Sequence, residues 1–347
     1  MEIPKKIIEI PSALIGNIFG KLDEHIKKVE SAFSVTIVNR DDSVQIMSNN
    51  STTAGVEKAE SVLKKLIIFA KNGDAITDQQ VNYLIASLVD DNGQFDQIEK
   101  INDDTICMTV QGRPVKPKTL GQKKYIDQIR QNTVVFSIGP AGTGKTYLAM
   151  AMAITAFRTG QVNRIILTRP AIEAGEKLGF LPGDLQQKVD PYLRPLYDAL
   201  HEIMGPEAFN RNFERNLIEV APLAYMRGRT LNDSFIVLDE AQNTTPQQMK
   251  MFLTRLGNNA KAVVTGDITQ IDLPEDKQSG LTEAIRLLDG IPDIGISHLS
   301  SRDVVRHPLV QKIINAYDKQ AARTAYKDKK RIRYVRGPRN TRNDVKK

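Results

Sequence analysis

The sequence predicts an α/β protein in which a parallel sheet is covered by helices on both faces, preceded by a small α+β unit. Two patterns support this prediction. From residue 133 onward, short runs rich in β-branched residues alternate with stretches of helical periodicity, as in a buried parallel sheet. Over the first 90 residues, strand-like runs and amphipathic helices follow one another in a mixed order. The chain has 347 residues, enough for about two domains at roughly 150 residues each.

The amino-terminal part has the patterns of a small mixed unit and a further helix. Apolar and polar residues alternate in its strand-like runs, whereas apolar residues recur at helical spacing in the others. The expected elements are, in order, a strand at Ile7–Ile10, a helix near Asp23–Ala32, a strand pair within Val35–Ile46, and helices at Ala54–Ala70 and Asp78–Val89. We place this α+β domain with its helical extension at residues 1–105.

A second domain is predicted at residues 106–318. It follows the polar stretch Asp90–Asp104 and begins with a segment in which glycine and prolines mark a linker. Its strands are expected, in order, at Thr133–Ile138, Arg164–Thr168, Phe235–Leu238, Lys261–Thr265 and Ile294–Leu299. These continuous apolar runs, separated by helical patterns, are typical of strands buried on both faces.

Charge is unevenly distributed along the chain. Residues 319–347 contain twelve Lys or Arg and two Asp, whereas the residues before them carry slightly more acidic than basic side chains. We expect these last residues to form a disordered basic tail. Because a clustered positive field attracts a polyanion, the tail indicates an anionic partner.

The composition also excludes several classes of protein. The sequence has no run of about 18 uncharged apolar residues and no apolar segment near its amino terminus, which excludes a membrane span and a signal peptide. We therefore expect a cytoplasmic protein with no membrane partner. Cys107 is the only cysteine, which excludes an intramolecular disulfide and a cysteine-based zinc site.

A phosphate-binding motif follows the first strand of the second domain. Its residues are Gly139, Pro140, Ala141, Gly142, Thr143, Gly144, Lys145 and Thr146. They fit G-x-x-x-x-G-K-[ST] between a strand and a helix, where backbone N–H groups and the helix N-terminus converge on a phosphate. Lys145 is expected to contact the β- and γ-phosphates, and the Thr146 hydroxyl to ligate Mg²⁺. The motif predicts a P-loop NTPase.

Further polar residues end two other strands of the predicted sheet. Asp239 and Glu240 follow the strand Phe235–Leu238, and Gln270 closes the segment Thr265–Gln270. The carboxyl ends of parallel strands meet at one edge of a sheet, so these side chains are expected to face the same phosphate. Asp239 would then serve Mg²⁺, Glu240 would deprotonate the attacking water, and Gln270 would sense the γ-phosphate.

The sequence leaves open which arginine stabilises the transition state. Arg302 and Arg306 follow the last predicted strand, and we favour Arg306 for this catalytic role. Arg227 and Arg229 compete with them. Each of these arginines could act within its own chain or across a subunit boundary, although a surface ion pair is the more common role of an arginine.

Taken together, these motifs resemble the PhoH-like ATPases over about residues 106–318. The resemblance rests on the P-loop and on Pro117–Gln122, Thr168–Ala171, Glu173–Gly183, Leu238–Asn243 and Thr265–Gln270. The family is similar to the ATPase core of superfamily 1 helicases. The resemblance therefore implies a RecA/helicase-like sheet, hydrolysis of ATP with Mg²⁺, and a role related to RNA. It also implies that Gln122 contacts the adenine and that Thr168–Ala171 faces nucleic acid.

Members of this family with a similar amino-terminal extension resemble KH domains, which clamp a nucleic-acid backbone with a G-x-x-G loop. Residues Gly20–Asp23 have the frame of that loop, but Asp23 stands where the second glycine belongs. A carboxylate repels a phosphate, and a residue with a Cβ restricts close approach. RNA binding by residues 1–70 therefore stands beside protein docking and a purely structural role.

The leading hypothesis is an RNA-associated ATPase in RNA metabolism, with phosphate contacts from Arg169, Lys177, Arg194 and the basic tail. Superfamily 1 motors use two ATPase cores, whereas this sequence has one, so helicase activity would require a homo-oligomer, such as a ring. The alternative is a nucleotide-dependent adaptor that recruits an RNA-processing protein such as an endoribonuclease. A small-molecule kinase fits less well, because Glu240 and Gln270 suit the activation of water.

Overall fold

The computed structural model divides the chain into two compact units, Met1–Val305 and Arg306–Lys347. All elements named below lie in the first unit, and the described residues of the second are helical. The structure describes residues 4–40, 43–73, 75–89, 104–170, 185–274 and 276–305, together with 309, 310, 313, 314, 316, 317 and 320. For residues 185–192 it describes the backbone alone.

The amino-terminal part of the first unit is a small antiparallel sheet packed with helices. Its elements are β1 (Lys5–Glu9), α1 (Ser12–Phe19), α2 (Glu24–Phe33), β2 (Val35–Arg40), β3 (Ser43–Ser48), α3 (Thr53–Lys71) and α4 (Asp78–Val89). Strand β3 lies between β1 and β2 and pairs antiparallel with both. One apolar core joins the sheet to the helices, with Val29, Ile46 and Leu63 fully buried in it.

The rest of the first unit alternates strands and helices. Its elements are the short pair β4 (Cys107–Met108) and β5 (Pro114–Val115), then α5 (Leu120–Gln131), β6 (Val134–Ile138), α6 (Lys145–Arg158), β7 (Arg164–Arg169), α7 (Leu185–Met204), α8 (Pro206–Glu214), β8 (Ile218–Pro222), β9 (Ser234–Leu238), α9 (Pro246–Leu253), β10 (Lys261–Gly266), α10 (Gly280–Leu288) and β11 (Ile294–His298). The hydroxyl of Tyr83 on α4 accepts the backbone N–H of Leu120, 2.9 Å away, so the helical extension contacts the start of α5.

Six of these strands form one sheet in the order β11-β6-β10-β9-β7-β8. Every neighbouring pair is parallel. The predicted α/β fold class with a P-loop NTPase-like parallel sheet is thereby confirmed. Since all six strands point the same way, the residues that follow β6, β10, β9 and β7 lie side by side at the carboxyl edge.

Helices cover both faces of this sheet because successive side chains of a strand point to opposite faces. Val135, Val237 and Val263 enter a core shared with α5, α6 and α7. Their strand neighbours Phe136 and Ile236 enter a second core shared with α9 and α10. The central strands are therefore apolar at most successive positions, which is the pattern that the sequence displays.

Helix α1 and strand β8 are among the elements that the sequence patterns did not predict. Helix α1 has only eight residues and follows Pro11, so its periodicity is too short to stand out. Strand β8 is an edge strand whose run ends in Pro222 and includes the polar Glu219. Within the described part of the chain, no helix combines the length and the apolar character that a membrane crossing requires.

Candidate functional site

The predicted phosphate-binding motif forms the loop between β6 and α6. Gly142 and Gly144 have φ angles of 87° and 79°, a left-handed conformation that glycine adopts without strain. The Thr143 hydroxyl donates to the carbonyl of Pro140, 2.9 Å away, and closes the loop on itself. Helix α6 begins directly afterwards at Lys145. The loop therefore precedes a helix N-terminus in the arrangement that binds phosphate groups.

Lys145 lies at the bottom of this loop. Its Nζ donates to the carbonyls of Gly139 and Pro140, at 2.6 and 3.0 Å. Burial lowers the pKa of Lys145 from its ordinary value, whereas the nearby carboxylates of Asp267, Asp239 and Glu240 act in the opposite direction. The ammonium group is thus a partly desolvated charge whose present acceptors are loop carbonyls, which stronger anionic acceptors can replace.

Asp239 lies beside Thr146, as the strand-end argument predicted. Its Oδ1 accepts the Thr146 hydroxyl at 2.6 Å and the Thr265 hydroxyl, from β10, at 2.7 Å. The carboxylate is 5% exposed. A carboxylate and a hydroxyl are the hard oxygen ligands that Mg²⁺ prefers beside nucleotide phosphates. The residues that would hold the ion are therefore together, and their chemistry fits it.

Glu240 follows Asp239 and has a left-handed backbone with φ of 53°. Its Oε1 accepts the Arg169 guanidinium, from the end of β7, at 2.8 Å. Its Oε2 accepts the Gln242 amide at 2.6 Å. Arg169 also reaches Asp239, with 3.2 Å between its Nε and Oδ2. Both oxygens of the predicted base are therefore engaged by side chains of this chain.

The segment after β10 completes the site. Asp267 is 5% exposed, and its Oδ1 accepts the backbone N–H and the hydroxyl of Thr269 at 3.0 and 2.7 Å. Its backbone N–H donates to the Gln242 Oε1, 3.1 Å away. Gln270 is exposed. A cavity of about 270 Å³ is lined by the P-loop together with Asp239, Glu240, Asp267 and Gln270.

Gln122, the residue expected to contact adenine, is buried beside the P-loop. Its Nε2 donates to the carbonyl of Thr143 at 3.1 Å, and its Oε1 accepts the backbone N–H of Lys118 at 2.6 Å. The amide thus connects the start of α5 to the phosphate loop. Its contact with adenine stays a prediction.

The structure describes three of the four arginines proposed for the transition state. Arg229 forms two hydrogen bonds with Glu219, at 2.5 and 2.7 Å. Arg227 is exposed beyond β8, which lies four strands away from β6 in the sheet order. Arg302 is exposed in the short turn of helix after β11, whereas Arg306 lies outside the described residues. Among the described arginines, Arg169 is the one that contacts the acidic pair.

Arg169 and Gln242 were not identified as partners of Glu240 from the sequence. The sequence predicts that Arg169 contacts nucleic acid, and it places Gln242 within the motif Leu238–Asn243. Strand β7 pairs with β9, and this neighbourhood brings Arg169 to the acidic pair. The motif includes Gln242, but the sequence alone does not indicate that this side chain bonds to Asp267. Lys177, in contrast, lies outside the described residues.

The amino-terminal loop Gly20–Asp23 lies between α1 and α2. Leu22 and Asp23 both have left-handed backbones, with φ of 52° and 59°, and Leu22 is 89% exposed. Lys27 donates to the carbonyl of Leu22 at 2.8 Å. Backbone of this kind costs roughly 1–3 kcal/mol per residue and persists where the surroundings enforce it. The KH-like assignment of this part of the chain stays a prediction.

A small cluster in the same region has the composition of a metal site but not its electrostatics. Glu24, His25 and Asp78 offer ligand atoms close to one another. His25 is buried, with its Nδ1 3.1 Å from the carbonyl of Ile18, and the ammonium of Lys28 forms an ion pair with Asp78. We interpret the cluster as a contact that fixes α2 against α4.

Comparisons with known proteins identify relatives of the chain. A sequence model described as "PhoH-like protein" matches residues 114–318. A PhoH-like protein of Mycobacterium bovis is 53% identical over 310 residues, 89% of this chain and 86% of that relative. A PhoH-like protein of Bacillus subtilis is 48% identical over 304 residues, 88% of this chain and 94% of that relative. Protein PhoH of Escherichia coli is 43% identical over 206 residues, 59% of this chain and 58% of that relative.

Proposed function

Because the chain belongs to the PhoH-like protein family, we propose that it binds ATP with Mg²⁺, hydrolyses it, and acts in RNA metabolism with RNA as its effector. The observation that supports hydrolysis is the convergence of Lys145, Thr146, Asp239 and Glu240 on one cavity. A lysine, an acid beside a threonine hydroxyl, and a second acid are the parts that phosphoryl transfer to water requires.

Each of these residues has a distinct role in the proposed reaction. Lys145 exchanges its loop carbonyls for phosphate oxygens and fixes the β- and γ-phosphates. Thr146 and Asp239 hold Mg²⁺, which would neutralise charge on the phosphate oxygens. Glu240 accepts a proton from the attacking water, and Gln270, at the exposed side of the cavity, contacts the γ-phosphate.

RNA is the effector that the surface near this site favours. The last residue of β7, Arg169, pairs with Pro222 at the end of β8. Beyond it, Tyr225 is 45% exposed and Arg227 is exposed. An exposed aromatic ring beside cationic side chains is the combination that stacks bases and binds the backbone of a single strand. The basic tail at residues 319–347 adds a second source of phosphate contacts.

We further propose that the protein acts as a homo-oligomer, with a ring as one arrangement. Arg229 is paired with Glu219 within its own chain, and Arg227 lies four strands away from the P-loop strand. In other P-loop enzymes an arginine from a partner protein supplies transition-state charge, and we propose the same role for an arginine of a neighbouring subunit here. Mass in solution, measured with and without nucleotide, tests this assembly.

ATP turnover with and without single-stranded RNA tests the function, and Glu240→Gln is the decisive variant. The amide keeps the size of the side chain but cannot take a proton, so turnover should fall at least about a hundredfold while ATP affinity is retained. Equal turnover in the variant and the parent protein would remove Glu240 as the base. If RNA leaves the parental rate unchanged, the adaptor that recruits an RNA-processing protein becomes the better interpretation.

A further inference from the structure

The pairing of Arg169 with Glu240 connects the proposed RNA surface to the catalytic base. We propose that Arg169 is a positioning residue that holds Glu240 in an inactive arrangement, and that a phosphate of single-stranded RNA activates hydrolysis by drawing the guanidinium away. This inference rests on the proposed function and specifies how the site is regulated.

The first step of the argument is the occupancy of the base. Oε1 of Glu240 accepts Arg169 at 2.8 Å, and Oε2 accepts Gln242 at 2.6 Å. A carboxylate that is to receive a proton must offer the water a well-placed acceptor within hydrogen-bond distance. Because each oxygen of Glu240 already accepts a hydrogen bond, water can approach the carboxylate from fewer directions. Release of one donor gives the water access to an oxygen of Glu240.

The second step identifies which donor can leave. Gln242 is 1% exposed, and its other end is fixed by the backbone N–H of Asp267. Arg169 is the last residue of β7, and its side chain retains 11% exposure. A buried amide bonded at both ends stays in place. The guanidinium lies at the rim of the sheet and also forms the 3.2 Å ion pair with Asp239, so a phosphate must replace both carboxylates when it draws Arg169 toward solvent. Arg169 is therefore the removable partner.

The third step identifies what draws Arg169 away. A guanidinium binds phosphate with two parallel N–H donors, so a phosphodiester competes with a carboxylate for the same group. The residue beside Arg169 on the neighbouring strand is Pro222, and the exposed Tyr225 and Arg227 follow it. A single strand bound over Tyr225 would bring its phosphates to this end of β7.

Turnover measurements on Arg169→Gln and Arg169→Lys test the sign of the effect. Arg169→Gln should raise the rate without RNA by about tenfold, the size of one charge-assisted hydrogen bond, and should abolish stimulation by RNA. Arg169→Lys keeps the charge and should retain part of the stimulation. Arg130→Gln is the matched control, because Arg130 pairs with Asp104 at the amino end of the sheet, away from the nucleotide cavity, and it should behave like the parent protein.

Two RNA probes separate the charge of the backbone from the bases. A U-rich single-stranded RNA should stimulate turnover in the parent protein, whereas an uncharged morpholino oligomer of the same sequence and length should not. Stimulation by the uncharged oligomer would overturn the proposal, since phosphate would then not be the ligand of Arg169.

RNA affinity in the absence of nucleotide provides a readout that does not depend on hydrolysis. Glu240→Gln removes the charge that holds Arg169, so it should bind the RNA more tightly than the parent protein in an anisotropy titration. Arg169→Gln should reduce the slope of log affinity against log salt by about 0.7, the contribution of one phosphate contact in a single strand. Unchanged RNA affinity in Glu240→Gln and an unchanged slope in Arg169→Gln would both contradict the proposal.

The outcomes distinguish this proposal from the function on which it rests. If Arg169→Gln folds, as judged by circular dichroism, but hydrolyses ATP more slowly than the parent protein, Arg169 supports catalysis and the inhibitory role is wrong. If the parent protein does not hydrolyse ATP with or without RNA, the proposed hydrolysis itself is wrong. In that case the RNA titrations still decide whether Arg169 exchanges between a carboxylate and a phosphate.

Discussion

The two ends of the six-stranded sheet contain half-buried lysines in opposite settings. At the carboxyl end, Lys145 lies among three carboxylates and donates to carbonyls of the P-loop. At the amino end, Lys261 donates to the backbone carbonyls of Ile129 and Asn132, which lie three residues apart where α5 ends. Burial lowers the pKa of both lysines. Their partners differ, because those of Lys145 belong to a phosphate-binding loop and those of Lys261 terminate a helix.

Cavity size alone would identify the wrong end. The cavity at the amino end has a volume of about 710 Å³, and that at the carboxyl end has about 270 Å³. The larger cavity is lined by strand starts such as Thr133 and by Asn258 and Asn259. Ligands of open α/β sheets bind at the carboxyl ends of the strands, where loops bring polar groups together. Convergent charge, not volume, therefore marks the functional end.

The largest effect is expected from Lys145→Met. The ammonium makes charge-assisted hydrogen bonds to phosphate of roughly 1.5–3 kcal/mol each, so loss of its bonds to both the β- and γ-phosphates should lower ATP affinity by at least about a hundredfold. The stability of the fold should fall by no more than about 1 kcal/mol, since loss of the hydrogen bonds to the carbonyls of Gly139 and Pro140 is offset in part by removal of a partly desolvated charge. Isothermal titration with ATP and chemical denaturation measure the two quantities. Parental ATP affinity in the folded variant would contradict the assignment of the P-loop.

The parts of the site that are contiguous in the sequence could be predicted, and those that depend on strand order could not. The P-loop, the pair Asp239–Glu240 and the segment ending at Gln270 are motifs that a single run of residues spells out. The rule that parallel strands end at one edge of a sheet predicts that Thr146 and Asp239 lie close together. Prediction of the partners of Glu240 requires knowing that β7 lies beside β9 and which rotamer Arg169 adopts.

The fold shows the same division between local and non-local information. Five of the six strands of the large sheet are mostly apolar and β-branched, and they were predicted. Strand β8 (Ile218–Pro222) includes Glu219 and ends in proline, because an edge strand is not buried on both faces. Helix α1 has eight residues, too few for its periodicity to be recognised. The strand order was set by packing and could not be derived from any one segment.

The next effect in size is expected from Gln242→Ala at the carboxyl end. The substitution leaves Oε2 of Glu240 and the backbone N–H of Asp267 without their partner, so the base loses its orientation. Turnover should fall about tenfold to a hundredfold, within the contribution of a positioned base, and unfolding should become easier by roughly 1–3 kcal/mol. Single-turnover kinetics and denaturation measure these changes.

Gln128→Ala is the matched control for Gln242→Ala. Gln128 donates from α5 to the carbonyl of Ile296 on β11 at 3.2 Å, and it does not line the nucleotide cavity. Its removal should reduce stability but leave ATP turnover unchanged. Equal losses of turnover in both variants would show that general destabilisation, and not the orientation of Glu240, explains the result.

The smallest effect, and the most direct test of the comparison, is expected from Lys261→Met at the amino end. The substitution keeps the length of the side chain but leaves carbonyls at the end of α5 without a donor. Stability should therefore fall by about 1 kcal/mol, the net size of a typical hydrogen bond. ATP affinity should remain that of the parent protein, whereas Lys145→Met is expected to lower it. A loss of ATP affinity in Lys261→Met would show that the two ends are energetically coupled.

The pH dependence of stability sharpens this last test because burial lowers the pKa of Lys261 below 10.5. Below its folded-state pKa, Lys261 is charged in both the folded and the unfolded chain, and the folded state bears the full desolvation cost. Between that pKa and 10.5, the unfolded chain binds more protons than the folded chain. The contribution of Lys261 to stability therefore increases as pH rises. The stability difference between the parent protein and Lys261→Met should therefore widen with pH in that window.

Denaturation of both proteins at a series of alkaline pH values measures the difference, and the other titrating groups cancel because both proteins share them. A constant difference would show that the ammonium group of Lys261 is no more desolvated than an exposed lysine.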